Sequence, residues 1–452
     1  MNEQLIRKYN VPGPRYTSYP TVPYWDADTF SATAWRDSIR KSYDESRNDG
    51  ISLYIHLPFC ESMCTFCGCT KRITKNHDVE DPYIRSVLKE WRMYVEMLGE
   101  KPKIAELHLG GGTPTFFSSK NLEDLINGIF ALGQRTATTE LGFEGHPNNT
   151  TRQHLETLYK LGFRRVSFGV QDYSERVQRA INRLQPFEHV KEVTEAARSV
   201  GYTSIGHDLI YGLPFQTLDD VIDTISKTVA LQPDRLAFYS YAHTPWLKGN
   251  GQRGFREEDL PRDAEKRMLY ETGKRMLSDA GYHEIGMDHF ALTTDSLFTA
   301  TENGALHRNF MGYTTASTRM MIGLGVSAIG DSWYGFAQNT KNLEDYHQLI
   351  EWDTLPLLRG HILTTEDLIV RQHILNLMCR LKTEWTGAEA FLFSDEILEE
   401  LKEFEKDGLL TISGKSIVVE EAGRPFVRNI CMALDLRLRR NKPETRLFSL
   451  TV

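Results

Sequence analysis

Four of the six cysteines in this 452-residue chain lie within ten positions, at Cys60, Cys64, Cys67 and Cys69. The first three have the spacing C-x3-C-x2-C, and Phe66 comes directly before the third. Three thiolates on one short loop can each hold one iron of a cubane [4Fe–4S] cluster and leave the fourth iron open to a small chelating molecule. The spacing therefore predicts an iron–sulfur cluster held by these three side chains.

Two other uses of cysteine are less consistent with the sequence. Six cysteines in a chain of this length do not form the disulfide framework of a small secreted protein. Structural zinc sites usually consist of two paired half-sites, whereas Cys379 and Cys431 have no C-x2-C partner. Both lie in apolar, helix-like stretches and are expected in the core. Cys69 is outside the three-cysteine motif and is either a thiol on the substrate side or a bystander.

Length and composition indicate an intracellular enzyme with more than one structural unit. A chain of 452 residues exceeds one ordinary core, so a large domain with smaller modules is expected. The first residues lack the apolar segment of a secretion signal, and the apolar runs are too short to span a membrane. A net charge of −8 argues against a nucleic-acid partner. Cysteine-ligated clusters need reduced thiols, which predicts a cytoplasmic location.

Apolar periodicity predicts alternating strands and helices over the first half of the chain. The stretch Ile51–Leu57 alternates as a strand, and the cysteine loop follows it directly. Further strand–helix units follow in the same rhythm. The predicted strands after the first are Ile104–Leu109, Glu140–Glu144, Arg165–Val170, Ser204–Tyr211 and Arg235–Tyr241. The predicted helices between them are Asp81–Leu98, Asn121–Leu132, Thr151–Leu161, Glu188–Val200 and Leu218–Leu231. Six such units predict a parallel sheet that is closed or curved as a barrel.

Polar and glycine residues gather where these predicted strands end. The run Gly110–Pro114 follows the second strand, and Glu144, Gln171 and Asp208 follow or end later ones. Ligands of parallel sheets bind at the carboxyl ends of the strands. The cysteine loop and these residues are therefore expected to form one site.

The last hundred residues are predicted to be mainly helical. Helices are expected over Glu366–Lys382 and Asp395–Lys406, then a hairpin within 408–419 and a helix over Pro425–Leu436. This order resembles a winged helix used for packing, since it lacks a basic recognition helix. The predicted division is an arm at 1–50, a catalytic domain at 51–344 and a helical domain at 345–452.

Beyond the cysteine spacing, the chain resembles the oxygen-independent coproporphyrinogen III oxidases, which are radical S-adenosylmethionine (SAM) enzymes, over nearly its whole length. The cysteine spacing alone would indicate only the radical SAM superfamily, whereas the segments 15–21 and 286–315 resemble this family in particular. The segments that carry the resemblance are 15–21, 60–69, 110–115, 169–172, 208–214, 241–243, 286–290, 306–310, 312–315, 325–329 and 428–431.

The resemblance implies an α/β fold with a partial (β/α) barrel, a [4Fe–4S] cluster on Cys60, Cys64 and Cys67, and two SAM molecules per chain. The residues that match the cluster-bound SAM are Tyr54, Gly111, Glu144 and Ile329. The residues that match the second SAM are Phe66, Gly112, Thr113, Gln171, Arg183, Asp208 and Ala242.

By the same resemblance, the reaction converts two propionates of coproporphyrinogen III to vinyl groups, giving protoporphyrinogen IX. The implied catalytic residues are Tyr54, His56, Cys69 and Arg308. The substrate carboxylates need cations, for which Arg15, His307 and Arg308 are the candidates. A low-potential donor such as flavodoxin or ferredoxin would supply electrons, and the protein is expected to be a monomer.

The chain departs from the family pattern just after Glu144 and just before Asp208. The family run Glu-Val-Asp-Pro here reads Glu144-Gly-His-Pro147, and His207 replaces the usual apolar residue before Asp208. The two alternatives are a haem chaperone of the same superfamily, which is a binding protein, and a haem-cleaving radical SAM methyltransferase. Cys69, the 15–21 arm and Arg308 favour the oxidase over the chaperone.

Overall fold

A computed structural model describes residues 3–26, 28–244, 252, 255–443 and 447–451. Its centre is a sheet in which seven neighbouring strands run parallel, flanked at both ends by antiparallel strands. In spatial order, the strands of this sheet are Leu357–Ile362, Gly335–Asn339, Ile329–Asp331, Met321–Leu324, Ile51–Leu57, Lys103–Gly111, Gln134–Gly145, Arg165–Gln171, Ser204–Tyr211, Arg235–Ser240, His289–Ala291 and His283–Gly286.

The helices and short strands follow the predicted rhythm. The α-helices are Glu3–Tyr9, Ala32–Ser46, Glu80–Leu98, Ser119–Leu132, Arg152–Lys160, Glu175–Ala180, Phe187–Val200, Leu218–Leu231, Asp263–Asp279, Ser296–Glu302, Leu343–Glu351, Thr365–Arg380, Asp395–Lys406, Val427–Leu434 and Leu436–Arg440. The 3-10 turns are Val22–Tyr24, His77–Val79, Pro114–Phe116, Glu257–Asp259, Gly387–Glu389 and Glu421–Phe426. The smaller sheets contain Phe59–Cys60 with Arg72–Ile73, His307–Asn309 with Gly312–Thr314, and Lys382–Glu384 with Leu410–Ser413 and Ser416–Val419.

The predicted strand–helix units are therefore confirmed, with small shifts at their ends. The strands Ile51–Leu57 and Ser204–Tyr211 begin and end as predicted. The strand predicted over Glu140–Glu144 is longer, at Gln134–Gly145, because Gln134 and Arg135 continue the pairing with Lys103 and Ile104. Backbone hydrogen bonds extend this strand into residues whose side chains show no apolar alternation.

The largest core lies between the sheet and the helices on its outer face. Tyr83, Val87 and Trp91 of the helix Glu80–Leu98 are fully or almost fully buried in this core. Trp35 and Ile39, from the helix Ala32–Ser46, are buried in the same cluster. Residues before position 51 thus contribute to the main core.

The first residues of the chain pack against the C-terminal part. Tyr9, Tyr16 and Tyr19 share a second core with the helices after residue 365, and the Tyr16 hydroxyl donates a hydrogen bond to Asp435 at 3.0 Å. The hairpin and the helix before it form as predicted, whereas the helix predicted over Pro425–Leu436 is shorter, at Val427–Leu434, because Asp435 interrupts it and caps the next helix. The comparison with a winged helix stays a prediction. The strand Leu357–Ile362 lies after residue 344 and pairs in the main sheet. The division at 50 and 344 stays a prediction.

The two cysteines outside the loop are buried, as predicted. Cys379 lies in the helix Thr365–Arg380 and Cys431 in Val427–Leu434, and both side chains are free thiols. Across the described part of the chain, no helix combines the length and the apolar character that a membrane crossing requires.

One buried ion pair joins the main sheet to the C-terminal helices. Asp331 ends a strand of the sheet, and both of its oxygens accept hydrogen bonds from Arg371, at 3.1 and 2.6 Å. Arg371 also lies 4.4 Å over the ring of Trp333 and donates to its backbone carbonyl at 2.9 Å. Both charged side chains are less than 10% exposed. Removal of one partner would leave a buried, unpaired charge.

We therefore expect Arg371→Met to lower the free energy of unfolding by about 3–5 kcal/mol in chemical denaturation. The matched control is Arg440→Met, which breaks the exposed pair with Glu366 and should cost less than about 1 kcal/mol. Equal losses in the two variants would show that the Asp331 pair does not hold the C-terminal helices to the sheet.

Candidate active site

The cysteine loop is held from two sides by backbone hydrogen bonds. On one side, the amides of Gly112 and Thr113 donate to the carbonyls of Leu57 and Phe59, at 2.8 and 3.0 Å. On the other side, the loop returns on itself, and the Thr74 amide donates to the Cys60 carbonyl at 2.9 Å. The parallel pairing between the strands Ile51–Leu57 and Lys103–Gly111 therefore continues into the cysteine loop.

The cysteines open into one cavity at the carboxyl ends of the strands, with a volume of about 380 Å³. Twelve of the residues that the sequence analysis selected line it. They are Cys60, Cys64, Phe66, Cys67, Cys69, Gly111, Gly112, Thr113, Glu144, Gln171, Arg183 and Asp208. The structure thus brings together residues that are up to 148 positions apart in the chain.

Glycine is required where the loop touches the second strand. A Cβ atom on Gly112 would lie 2.7 Å from the backbone carbonyl of Pro58 and 3.0 Å from the Cys60 sulfur. A Cβ atom on Gly110 would lie 2.9 Å from the Glu144 carboxylate and 3.0 Å from the Tyr54 ring. The shortest distance at each position, 2.7 and 2.9 Å, is below an ordinary Cβ contact, so the glycines allow this close approach.

Polar groups surround the three sulfur atoms. Thr113 donates its hydroxyl to the Cys60 sulfur at 3.4 Å, and Arg183 donates to the Cys64 sulfur at 3.5 Å. A hydrogen bond from Cys69, with the nearby charge of Lys71, lowers the pKa of Cys67. A thiolate is the form that binds metal, and the lowered pKa favours it at Cys67, whereas burial raises the pKa of Cys60 to about 11.

The arrangement of the sulfurs fits a cluster. In the described ranges, no three His, Cys, Asp or Glu side chains are grouped so that they could hold a single metal ion. A cubane cluster requires a different arrangement, because each thiolate binds its own iron atom. Cys60, Cys64 and Cys67 on one cavity wall, with hydrogen-bond donors to two of the sulfurs, meet that requirement.

Tyr54 and His56 lie behind the cavity wall. The Tyr54 hydroxyl is 3.1 Å from His56 Nδ1, and His56 Nε2 is 2.8 Å from the Thr70 carbonyl oxygen. A carbonyl only accepts, so Nε2 carries the proton and Nδ1 accepts from Tyr54. Burial lowers the pKa of His56, which is consistent with a neutral ring. His56 thereby ties the end of the cysteine loop to the first strand.

Two carboxylates face each other across the end of the sheet. Asp208 accepts a hydrogen bond from the Ser167 hydroxyl at 3.1 Å, and burial together with the charge of Glu144 raises its pKa to about 7. Glu144 lies 3.4 Å from His108 Nε2. Neither carboxylate is paired with an arginine or lysine in the described residues, so both are available to a cationic ligand.

A second, smaller cavity of about 110 Å³ lies against the main sheet and shares Glu144 and Asp208 with the first. Its wall includes Tyr239 and His289, whose hydroxyl and Nε2 lie 3.4 Å apart. The two carboxylates therefore belong to the walls of both cavities.

Among the selected residues that line neither cavity are Ala242, Ile329 and Arg308. Ala242 follows the strand Arg235–Ser240, and its carbonyl accepts from Gln252 at 2.8 Å. Ile329 begins a strand beside Gly323, which pairs in register with Tyr54. Arg308 lies 4.5 Å over the ring of Tyr313 and donates to the carbonyl of Arg15 at 3.3 Å.

The cationic candidates for the substrate carboxylates differ in their partners. Arg15 is paired with Asp288 at 3.1 Å. Arg308 is buried, and its Nε and Nη1 have no hydrogen-bond partner in the described part of the chain. Burial lowers the pKa of His307, which favours the neutral ring. Arg308 is thus the candidate whose hydrogen-bond donors are available to a substrate carboxylate.

The site also contains residues that were not predicted to be functional, and three of them are polar residues beside the ligands or the carboxylates. His108 contacts Glu144, Lys71 donates to the Cys67 carbonyl at 3.1 Å, and His146 lines the cysteine cavity. His108 lies two positions before the glycine run, on the face of the strand that also presents Gly110. That spacing was the available signal, whereas the position of Lys71 depends on the fold of the loop.

The parallel sheet, the three-cysteine loop and the glycine run at its edge define a radical SAM enzyme. Residues 54–228 match the family model described as the Radical SAM superfamily. Enzymes of this class use a [4Fe–4S] cluster and SAM, which the residues of the cavity fit.

Similarity to individual proteins narrows the class. The chain is 38% identical over 447 residues to the oxygen-independent coproporphyrinogen III oxidase of Helicobacter pylori, covering 96% of each chain. It is 38% identical over 441 residues to that of Escherichia coli, covering 96% of this chain and 95% of the other. The solved structure of coproporphyrinogen III oxidase from Escherichia coli, described as a radical SAM enzyme, matches with a TM-score of 0.89 at 36% identity, over 96% and 98% of the two chains. The chain belongs to the oxygen-independent coproporphyrinogen III oxidase family.

The close contact at Gly112 generates a prediction. We expect Gly112→Ala to lose most of its iron on anaerobic reconstitution, because the added methyl group would displace Pro58 and the Cys60 sulfur. Gly68→Ala, in the same loop, has no atom within 4 Å of the added Cβ and should keep its iron. The measurement is iron per chain with the absorbance of the cluster. Equal iron in the two variants would contradict the role assigned to the close approach.

Proposed function

We propose that this protein catalyses the anaerobic oxidative decarboxylation of two propionate side chains of coproporphyrinogen III, giving protoporphyrinogen IX. Each propionate loses CO₂, one proton and two electrons and becomes a vinyl group. The observation that carries the proposal is that the three cysteines and nine further residues of the family pattern line one cavity. Family membership over the whole length supports the same reaction.

The protein binds the cofactors through the cavity wall. Cys60, Cys64 and Cys67 would hold a [4Fe–4S] cluster, and Glu144 would accept hydrogen bonds from the ammonium group of the SAM bound with it. Together, the cluster and SAM would supply the radical chemistry that takes a hydrogen atom from the propionate β-carbon.

Three further residues complete the first SAM site. Gly111 gives the backbone room to approach that SAM. Tyr54 and Ile329 flank the same site. Two contacts support placing Tyr54 and Ile329 at this site. Tyr54 pairs in register with Gly323, which lies beside Ile329. The Tyr54 ring and the Glu144 carboxylate both lie close to Gly110.

A second SAM occupies the remaining part of the cavity in this proposal. Asp208 supplies the buried carboxylate that attracts its sulfonium or ribose, and burial excludes the water that would otherwise compete. The other residues of this second site are Phe66, Gly112, Thr113, Gln171, Arg183 and Ala242.

Six residues handle protons and the substrate in this proposal. Cys69 acts on the substrate side, since it lines the cavity beside the ligands. Tyr54 and His56 form a hydrogen-bonded pair that can hold or move a proton toward the loop. Arg308, with two free donors, binds a substrate carboxylate. Arg15 and His307 assist it.

The wider setting is also part of the proposal. A low-potential donor such as flavodoxin or ferredoxin delivers the electron. The protein acts as a monomer in the cytoplasm, where thiols stay reduced. It needs neither nucleic acid nor membrane. The arm at 1–50, the catalytic domain at 51–344 and the helical domain at 345–452 are the proposed units.

An anaerobic assay tests the function. Reconstituted protein with reductant, SAM and coproporphyrinogen III should form protoporphyrinogen IX and CO₂ with consumption of SAM. Tight haem binding without turnover would instead indicate the chaperone, and a ring-opened product from haem would indicate the methyltransferase.

Cys69→Ser should keep its iron and still cleave SAM while forming little product.

The buried carboxylate of Asp208 gives a prediction about SAM stoichiometry. We expect Asp208→Ala to reduce equilibrium binding from two SAM per chain toward one, with at least a tenfold loss of turnover and unchanged iron. Asp208→Asn keeps the volume and tests the charge alone. Binding of one SAM by the unaltered protein, with both vinyl groups still formed by Asp208→Ala, would make Asp208 only a strand-end side chain.

A further inference from the structure

The guanidinium of Arg183 has an unusual set of partners. Its Nη2 donates to the Gly169 carbonyl at 2.6 Å, and its Nη1 donates to the Cys64 sulfur at 3.5 Å. Its Nε is buried and has no hydrogen-bond partner among the described residues. No carboxylate in the same part of the chain lies within ion-pair distance of it. The positive charge therefore lies beside a ligand sulfur without a direct ion pair.

The charge of Arg183 reaches the surrounding groups. It opposes the effect of burial on the pKa of Asp208, which lines the same cavity. It also contributes, after burial, to lowering the pKa of His146 well below the ordinary value. Arg183 is thus electrostatically coupled to the ligand loop and to the opposite wall of the same cavity.

His146 contributes no compensating negative charge. Its Nδ1 accepts a hydrogen bond from the Asn148 amide at 3.1 Å, so that nitrogen carries no proton. An aspartate or asparagine side chain could accept from the same amide two residues on, as in an Asx turn. Position 146 can therefore hold a charged or a neutral side chain without loss of the turn. In this chain, the side chain at that position has no negative charge.

We propose that Arg183 raises the reduction potential of the cluster through its hydrogen bond and charge at Cys64, and that the neutral His146 leaves this effect undiminished. The inference rests on the cluster assigned under the proposed function and is separate from the contact of Arg183 with a second SAM. Reduction adds one negative charge to a cluster, and hydrogen bonds to its sulfurs and nearby positive charge stabilise the reduced form. Arg183 is therefore a positioning residue for electron uptake.

The test is a potentiometric titration of the reconstituted protein, followed by the electron paramagnetic resonance of the reduced cluster, without SAM or substrate. Arg183→Gln should shift the midpoint to a more negative value, with at least a tenfold change in the reduction equilibrium, or about 59 mV for one electron. His146→Asp should shift it in the same direction, because the new carboxylate would offset the nearby charge of Arg183. The combined variant should shift by less than the sum, since the aspartate then has no Arg183 to neutralise.

Two matched controls separate charge from packing. His146→Asn keeps the acceptor for the Asn148 amide without a charge and should leave the midpoint unchanged. Arg179→Gln removes an exposed arginine of the same segment, which pairs with Glu175, and should also leave it unchanged. A wild-type midpoint in both Arg183→Gln and His146→Asp, with normal iron, would overturn the inference and leave the proposed function intact.

Iron content identifies the other failures. If the unaltered protein takes up no cluster, the proposed function and this inference both fall. If only Arg183→Gln loses its iron, the midpoint potentials of His146→Asp and His146→Asn test the inference instead. Both variants keep Arg183 and differ only in the charge at position 146. Equal midpoints in that pair would overturn the inference.

Discussion

Parallel pairing between the strands Ile51–Leu57 and Lys103–Gly111 is the constraint on which the site depends. The pairing runs in register as far as Leu57 and Gly111, and the next amides, of Gly112 and Thr113, continue it onto the cysteine loop. A loop held by main-chain hydrogen bonds has a defined position before any cofactor binds. The absence of a side chain at Gly112 allows this approach, so the ligand geometry rests on a backbone contact.

The same register places the acidic residues. Each later strand pairs with the one before it, and each ends near the same edge, so Glu144 and Asp208 arrive opposite the cysteine loop. Elsewhere in the sheet, two buried charges have partners of opposite sign: Glu106 pairs with Arg165 at 3.3 Å, and Arg235 with Asp295 at 2.8 Å. At the open end, Glu144 and Asp208 have no arginine or lysine partner among the described residues, so a cationic ligand would supply the missing interaction.

Much of the fold could be read from side-chain pattern. The strand Ser204–Tyr211 and the helix Leu218–Leu231 were predicted to the residue, because burial of alternate or every third and fourth side chain is written in local sequence. The strand Gln134–Gly145 was predicted too short, since its first half is held by pairing with the neighbouring strand and not by apolar burial. Local pattern does not record hydrogen bonds to a distant strand.

The sequence by itself determined the cofactor chemistry and the edge of the sheet where it lies, because both follow from the spacing of Cys60, Cys64 and Cys67 after a strand. Only the tertiary structure decided which side chains act on those sulfurs. His108 and Lys71 have no motif of their own, and Arg183 reaches Cys64 across 119 positions of the chain. The compensation of a charge is a property of all the groups around it, so it exists only once the chain has folded.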